Sequence, residues 1–302
     1  MSLMRRLLNL SLCVTERRFL ARSGDHLRAR AAFERKARFW FRPPRGAAFR
    51  PDVLRADGCQ VDVLWAAAGH AKRQARVVLY LHGGGYFMGS PDTHRAMAAH
   101  LSAVSGLPVC LPAYRLAPEA PFPAAYRDAC TAWDGLLAQG YDPDRIVLGG
   151  DSAGGGLALA LLAGLMRAGR PGPCATFAFS PLADLTLSGA SLRDNDATEV
   201  LLPPARMAEV VQGYLAGADP RDPRASPLFA DFTGAGPVWL YASSSEILLD
   251  DTRRMAAVLS AQGVDVTAVV ERGLPHAWPI FAGLLPEARR TLVDLADRIG
   301  AR

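Results

Sequence analysis

From about residue 50 onward, short apolar runs rich in β-branched side chains alternate with stretches whose apolar positions recur at helical spacing. The runs are RVVLYLH (76–82), LPVCLPAY (107–114), RIVLGG (145–150), ATFAFS (175–180), PVWLYAS (237–243) and VTAVVE (266–271). Nearly continuous hydrophobicity of this kind predicts strands buried on both faces of a mainly parallel sheet. Helices are expected near 93–105, 123–139, 152–169, 203–215, 251–262 and 286–299. FRPDVLRADGCQVDVLWA adds two strands around an Asp57-Gly58 hairpin turn. The expected fold class is therefore α/β, an eight-stranded, mostly parallel sheet flanked by helices.

Two stretches fall outside the alternation. Residues 1–42 read as helices ending at Pro43-Pro44, and residues 185–225 carry Pro203-Pro204 and a Pro-rich tail. Together they could form a helical cap, residues 1–45 its first part and 185–225 its second, over an α/β domain spanning 46–302. Within the first stretch, Leu3, Leu7, Leu10 and Val14 share one helical face, the mark of an amphipathic helix that docks on something. The same residues imitate a secretory signal, but Asn9 interrupts the apolar run and no A-x-A site follows. The longest apolar stretch, Ala153 to Met166, has 14 residues and is too short to span a bilayer, so no stable membrane insertion is expected.

Half of the 302 residues are hydrophobic, 21% are charged and mean hydropathy is +0.09, which suits one sizeable buried core. Five dispersed cysteines (Cys13, Cys59, Cys110, Cys130, Cys174) form no C-x-x-C pair, so neither a disulfide framework nor a zinc site is indicated, and a cytoplasmic location fits. The net charge of +5 is concentrated: residues 1–50 hold 13 Lys and Arg against three acids. A basic helical segment reads first as a solvated face and second as a contact for an anionic membrane surface. No zinc-finger, helix-turn-helix or RNP pattern points to nucleic acid.

Candidate chemistry begins at Gly150-Asp151-Ser152-Ala153-Gly154, between the strand RIVLGG and a long apolar helix. Such a turn strains the serine backbone and removes the flanking side chains that would collide, exposing a nucleophile at a helix N-terminus. The alternative is a phosphate cradle, but neither G-x-G-x-x-G nor a Walker pattern is present. His82-Gly83-Gly84-Gly85-Tyr86 ends an earlier strand, and its glycines leave backbone N–H groups free to face a reacting oxygen. His276 follows the last strand, where a general base must lie; His26, His70, His94 and His100 have no motif around them and read as surface or packing residues. For the acid that orients His276, the chain offers Glu246, Asp250 and Asp251. Glu246 lies nearest a strand end, whereas the two aspartates fall at the start of the next helix as N-terminal caps, so Glu246 is favoured.

These motifs, with YRLAPE (114–119), FPAAYRDA (122–129), SPLADLT (180–186) and SSEILLDD (244–251), make the chain resemble the hormone-sensitive-lipase-like group of α/β-hydrolases, the bacterial family IV carboxylesterases. The resemblance implies Ser152 as nucleophile, His276 as base, Glu246 as acid, and the N–H groups of Gly84, Gly85 and Ala153 as an oxyanion hole. It also implies the cap, and a serine carboxylesterase acting on short- to medium-chain esters or lactones through an acyl-enzyme, with no cofactor or metal. Two departures stand out: Glu246 replaces the commoner aspartate, and His276-Ala277-Trp278 replaces the usual H-G-F. The aromatic and apolar residues Phe33, Phe39, Trp40, Phe41, Met207 and Tyr214 could line an acyl pocket or belong to the core. A homodimer stays open. A rival class, a ligand receptor on a decayed hydrolase scaffold, would need a broken triad.

Overall fold

In the computed structural model, which describes residues 2–69 and 76–301, the chain begins with capped helices. Ser2 accepts from the Arg5 N–H at the head of α1 (Leu3–Leu12), and one π-helical turn (Cys13–Arg17) leads into α2 (Arg18–Arg22). Asp25 then caps α3 (His26–Trp40) by accepting from the Arg28 N–H. The apolar stripe of α1 does not dock. Leu3, Leu7, Leu10 and Val14 face solvent, and the helix is held by its other side, where Arg5 and Leu12 are buried. Arg5 Nη1 donates to the Arg272 carbonyl at 2.8 Å and Asn9 Nδ2 to the Gly273 carbonyl at 3.0 Å. Carbonyls at a strand end need donors, which a guanidinium and an amide supply and leucines cannot.

β1 (Ala48–Ala56) and β2 (Cys59–Ala67) form the expected hairpin, Asp57 and Gly58 both adopting the left-handed backbone (φ 49° and 75°) that matches the twist of the strands. His70, expected as a surface or packing residue, lies outside the described residues. The chain then alternates through β3 (Val77–Leu81), α4 (Pro91–Ser105), β4 (Val109–Pro112), α5 (Ala124–Ala138), β5 (Ile146–Asp151), α6 (Ser152–Arg167) and β6 (Ala175–Phe179). After α7 (Ser191–Asp194) and α8 (Met207–Leu215) it closes with β7 (Val238–Ser243), α9 (Leu249–Ala261), β8 (Val266–Glu271) and α10 (Pro286–Gly300). The sheet runs β1-β2-β4-β3-β5-β6-β7-β8, with β2 antiparallel to both neighbours and the other pairings parallel.

Strand periodicity divides the interior into two layers. Along β3, Val77, Leu79 and Leu81 enter the core shared with α5, α6 and α9, while Val78 and Tyr80 enter the one shared with α4 and α10. β8 departs from the expected burial on both faces, with Val270 exposed, because it is an edge strand. Residues 1–42 and 185–225 lie against each other and against the loop after β3. Arg17 pairs with Asp196, Arg206 donates to the Ser23 carbonyl, and Arg30 donates to the carbonyls of Phe87 and Ala117. His26 stacks on Phe87 at 4.2 Å. Among the described residues, no helix is long and apolar enough to cross a membrane.

Candidate active site

β5 passes into α6 without a linker, and Ser152 sits at the junction with φ +53°, a backbone that L-residues adopt at a cost. The turn tolerates no side chain at Gly154, where a Cβ would approach the Leu81 carbonyl oxygen to 2.1 Å and that of His82 to 2.3 Å. The crowding explains why the serine is followed by a small residue and a glycine, and it leaves the hydroxyl at the carboxyl edge of the sheet.

The structure brings Ser152, His276 and Glu246 together. His276 Nε2 lies 2.8 Å from Ser152 Oγ, and His276 Nδ1 lies 2.6 Å from Glu246 Oε2. The other Glu246 oxygen accepts from the Ser243 N–H at 2.7 Å, which fixes the carboxylate at the end of β7. All three residues are buried. Burial alone would push the imidazole pKa down, but the hydrogen bond and charge of Glu246, aided by Glu199 and Asp151, outweigh it and hold His276 above the ordinary histidine value.

The glycine loop after β3 is anchored from below. Gly83 N–H donates to Asp151 Oδ1 at 2.9 Å, Tyr80 OH donates to the same oxygen at 2.8 Å, and His94 Nε2 lies 3.3 Å from it. Burial would raise the Asp151 pKa, yet His94 and Tyr80 reverse the shift and keep the carboxylate charged. Burial and the neighbouring His94 push His82 down to about 3. At Gly84 (φ +126°) a Cβ would meet the Met88 carbonyl oxygen at 2.1 Å, so the loop requires glycine. Among the described residues the N–H groups of Gly84 and Gly85 donate to no acceptor. Ala153 stands in the first turn of α6, where N–H groups have no intrahelical partner.

Several sequence readings change here. Asp250 and Asp251 lie in the first turn of α9 but do not cap it. Asp250 accepts from the Ser191 N–H, and Asp251 accepts from the N–H groups of Ala183 and Asp184. Both reach across to the segment after β6, whose turns leave N–H groups without helical partners. His94, read as a surface or packing residue, is part of the Asp151 cluster. Glu199 carried no motif, and the structure buries it beside the acid turn, where it accepts from Ile247 N–H at 3.1 Å and Leu201 N–H at 2.8 Å. Burial raises its pKa, with the His276 charge opposing. Asn195 Nδ2 donates to the Glu246 carbonyl and Thr198 Oγ1 to that of Ser245, so residues 195–199 clamp the acid turn. Of the aromatic residues, Phe39 and Trp40 face solvent, whereas Tyr214 on α8 stacks on Tyr86 at 3.7 Å.

Residues 78–280 match the family model for the α/β-hydrolase fold. A crystal structure of an esterase from the bacterial hormone-sensitive lipase family superposes with a TM-score of 0.90 at 35% identity, covering 98% of this chain and 97% of that one. This chain belongs to that family. The hydrolase is also 42% identical to an acetyl-hydrolase of Streptomyces hygroscopicus over 80% of its own length and 79% of the relative's. An esterase of Acinetobacter venetianus is 36% identical over 74% of each chain.

Proposed function

We propose that this hydrolase is a serine carboxylesterase in which Ser152 attacks the ester carbonyl. The observation that carries the reading is the unbroken hydrogen-bonded line from Ser152 through His276 to Glu246. His276 Nε2 takes the hydroxyl proton as Ser152 Oγ bonds to the carbonyl carbon, and Glu246 stabilises the imidazolium that results. The N–H groups of Gly84, Gly85 and Ala153 receive the negative charge that develops on the carbonyl oxygen. His276 then gives its proton to the departing alkoxide, leaving an alcohol and an acyl-serine. Water, deprotonated by the same imidazole, attacks the acyl carbon, and the proton returns to Ser152 as the carboxylic acid leaves.

Residues 1–45 and 185–225 serve as the cap. Supporting this, α8 places Val210 against Gly85 and Tyr214 against Tyr86, beside the proposed donors. Short- and medium-chain esters are the proposed substrates, in keeping with the acetyl-hydrolase and esterase relatives. Lactones would follow the same steps with both products joined in one hydroxy acid. Hydrolysis of p-nitrophenyl butyrate tests the assignment: Ser152→Ala and His276→Ala are each expected to lose about a thousandfold or more in kcat. Undiminished rates in either would sink it. Rates across acyl chains of increasing length, with matched lactones, would define the substrate.

A further inference from the structure

Leu3, Leu7, Leu10 and Val14 form a stripe along α1 and the turn after it, with exposures from 46% to 72%. The buried side of the same helix carries Arg5 and Leu12, so the stripe points away from the protein body. Large aliphatic side chains gathered on one outward face are a recognised mark of an interaction surface. The charge of the first fifty residues is one-sided, and Arg6 lies on α1 itself while Arg18 and Arg22 lie on α2, which follows it after one π-helical turn. Arg6, Arg18, Arg22, Arg28, Arg35 and Arg38 are exposed, and none takes part in an ion pair among the described residues. The acids in contact with this segment are engaged: Glu16 pairs with Lys36, Asp25 caps α3, Asp196 pairs with Arg17, and Glu287 accepts from Ser2. Glu34, half-buried, is the remaining acid of the first fifty residues.

We propose that this face is a peripheral docking surface for an anionic lipid bilayer. The α1 stripe enters the boundary between headgroups and acyl chains, and the arginines meet the lipid phosphates. Charge selects this occupant over a second copy of the chain, because a symmetric contact would press two arginine-rich faces together. Through Arg5 and Asn9, α1 is tied to the carbonyls of Arg272 and Gly273, on the approach to the loop that carries His276. Docking therefore holds the His276 side of the molecule next to the bilayer, where apolar esters concentrate.

The full-length protein is tested by co-sedimentation with phosphatidylcholine vesicles, with and without phosphatidylglycerol. Wild type is expected to bind the phosphatidylglycerol vesicles at least about tenfold more tightly, with added salt weakening the binding. The Leu7→Asp/Leu10→Asp variant is expected to lose about tenfold or more in vesicle binding. Arg18→Glu/Arg22→Glu is expected to lose the preference for phosphatidylglycerol. Hydrolysis of soluble p-nitrophenyl butyrate stays unchanged in both variants, which shows that they fold. Ser152→Ala binds vesicles as wild type does, so the docking surface stands or falls apart from the catalytic assignment. The proposal is overturned if wild type ignores phosphatidylglycerol vesicles or if Leu7→Asp/Leu10→Asp binds them undiminished. It is equally overturned if wild type is a dimer that this variant splits without any vesicle binding, which would make the stripe an interface between copies.

Discussion

In the proposed mechanism the Ser152 hydroxyl is a weak nucleophile until a neutral imidazole stands ready to take its proton, so the basicity of His276 is expected to govern the pH response. With that pKa held above the ordinary histidine value, activity is expected to fall as pH drops through a midpoint above 6.5. A kcat/KM profile checks the sign. Replacing Glu246 by Gln removes the charge that raises the imidazole, so the acid limb should move to lower pH while kcat falls by about a hundredfold or more. Asp250→Asn, which disturbs a bond to the Ser191 N–H, should leave both almost unchanged. A profile in which Asp250→Asn is inactive and Glu246→Gln is wild-type would transfer the acid's role. Glu199 acts on the same imidazole from one shell further out. Glu199→Ala frees the N–H groups of Ile247 and Leu201, and the expected result is a drop of about tenfold in kcat with little change in KM.

At the level of elements, the parallel strands were legible because each is a short, unbroken apolar run whose alternate residues feed two cores. That Ser152, Glu246 and His276 converge at one edge of the sheet was legible because strand ends set their places in the chain. The orientation of α1 was not. Its periodicity names one apolar face, but attachment depends on Arg5 and Asn9 meeting the free carbonyls of Arg272 and Gly273, which no period encodes. Asp151, His94 and Glu199 were equally silent, since partners 48 to 71 residues away exist only in the folded chain. The tie between α9 and the segment after β6 gives a measurable consequence. Burial pushes Asp251 up to about 7, so the folded protein keeps a proton there that the unfolded chain releases near the ordinary aspartate value. Its contribution to stability should fall as pH rises from about 4 to about 7 and then level off. Urea midpoints at either end of that range, compared between wild type and Asp251→Asn, should show the wild type losing more.

At the scale of the whole molecule, the first forty residues are an integral layer. They bury Leu12, Ala29, Ala32 and Ala37, and Arg30 within them satisfies the carbonyls of Phe87 and Ala117. Deleting residues 2–42 would leave those carbonyls and the apolar surface beneath them exposed. The expected outcome is a sharp loss of soluble yield and a lower thermal midpoint, measured against the full chain. The Asp151 carboxylate has a wider consequence. It belongs to the residue that precedes Ser152, and it also grips the N–H of Gly83, at the root of the glycine loop. The proposed attacking oxygen and the proposed donors thus hang from a single bolt. A shift of β5 against β3 would carry both together, so the gap proposed to receive an ester is expected to keep its width.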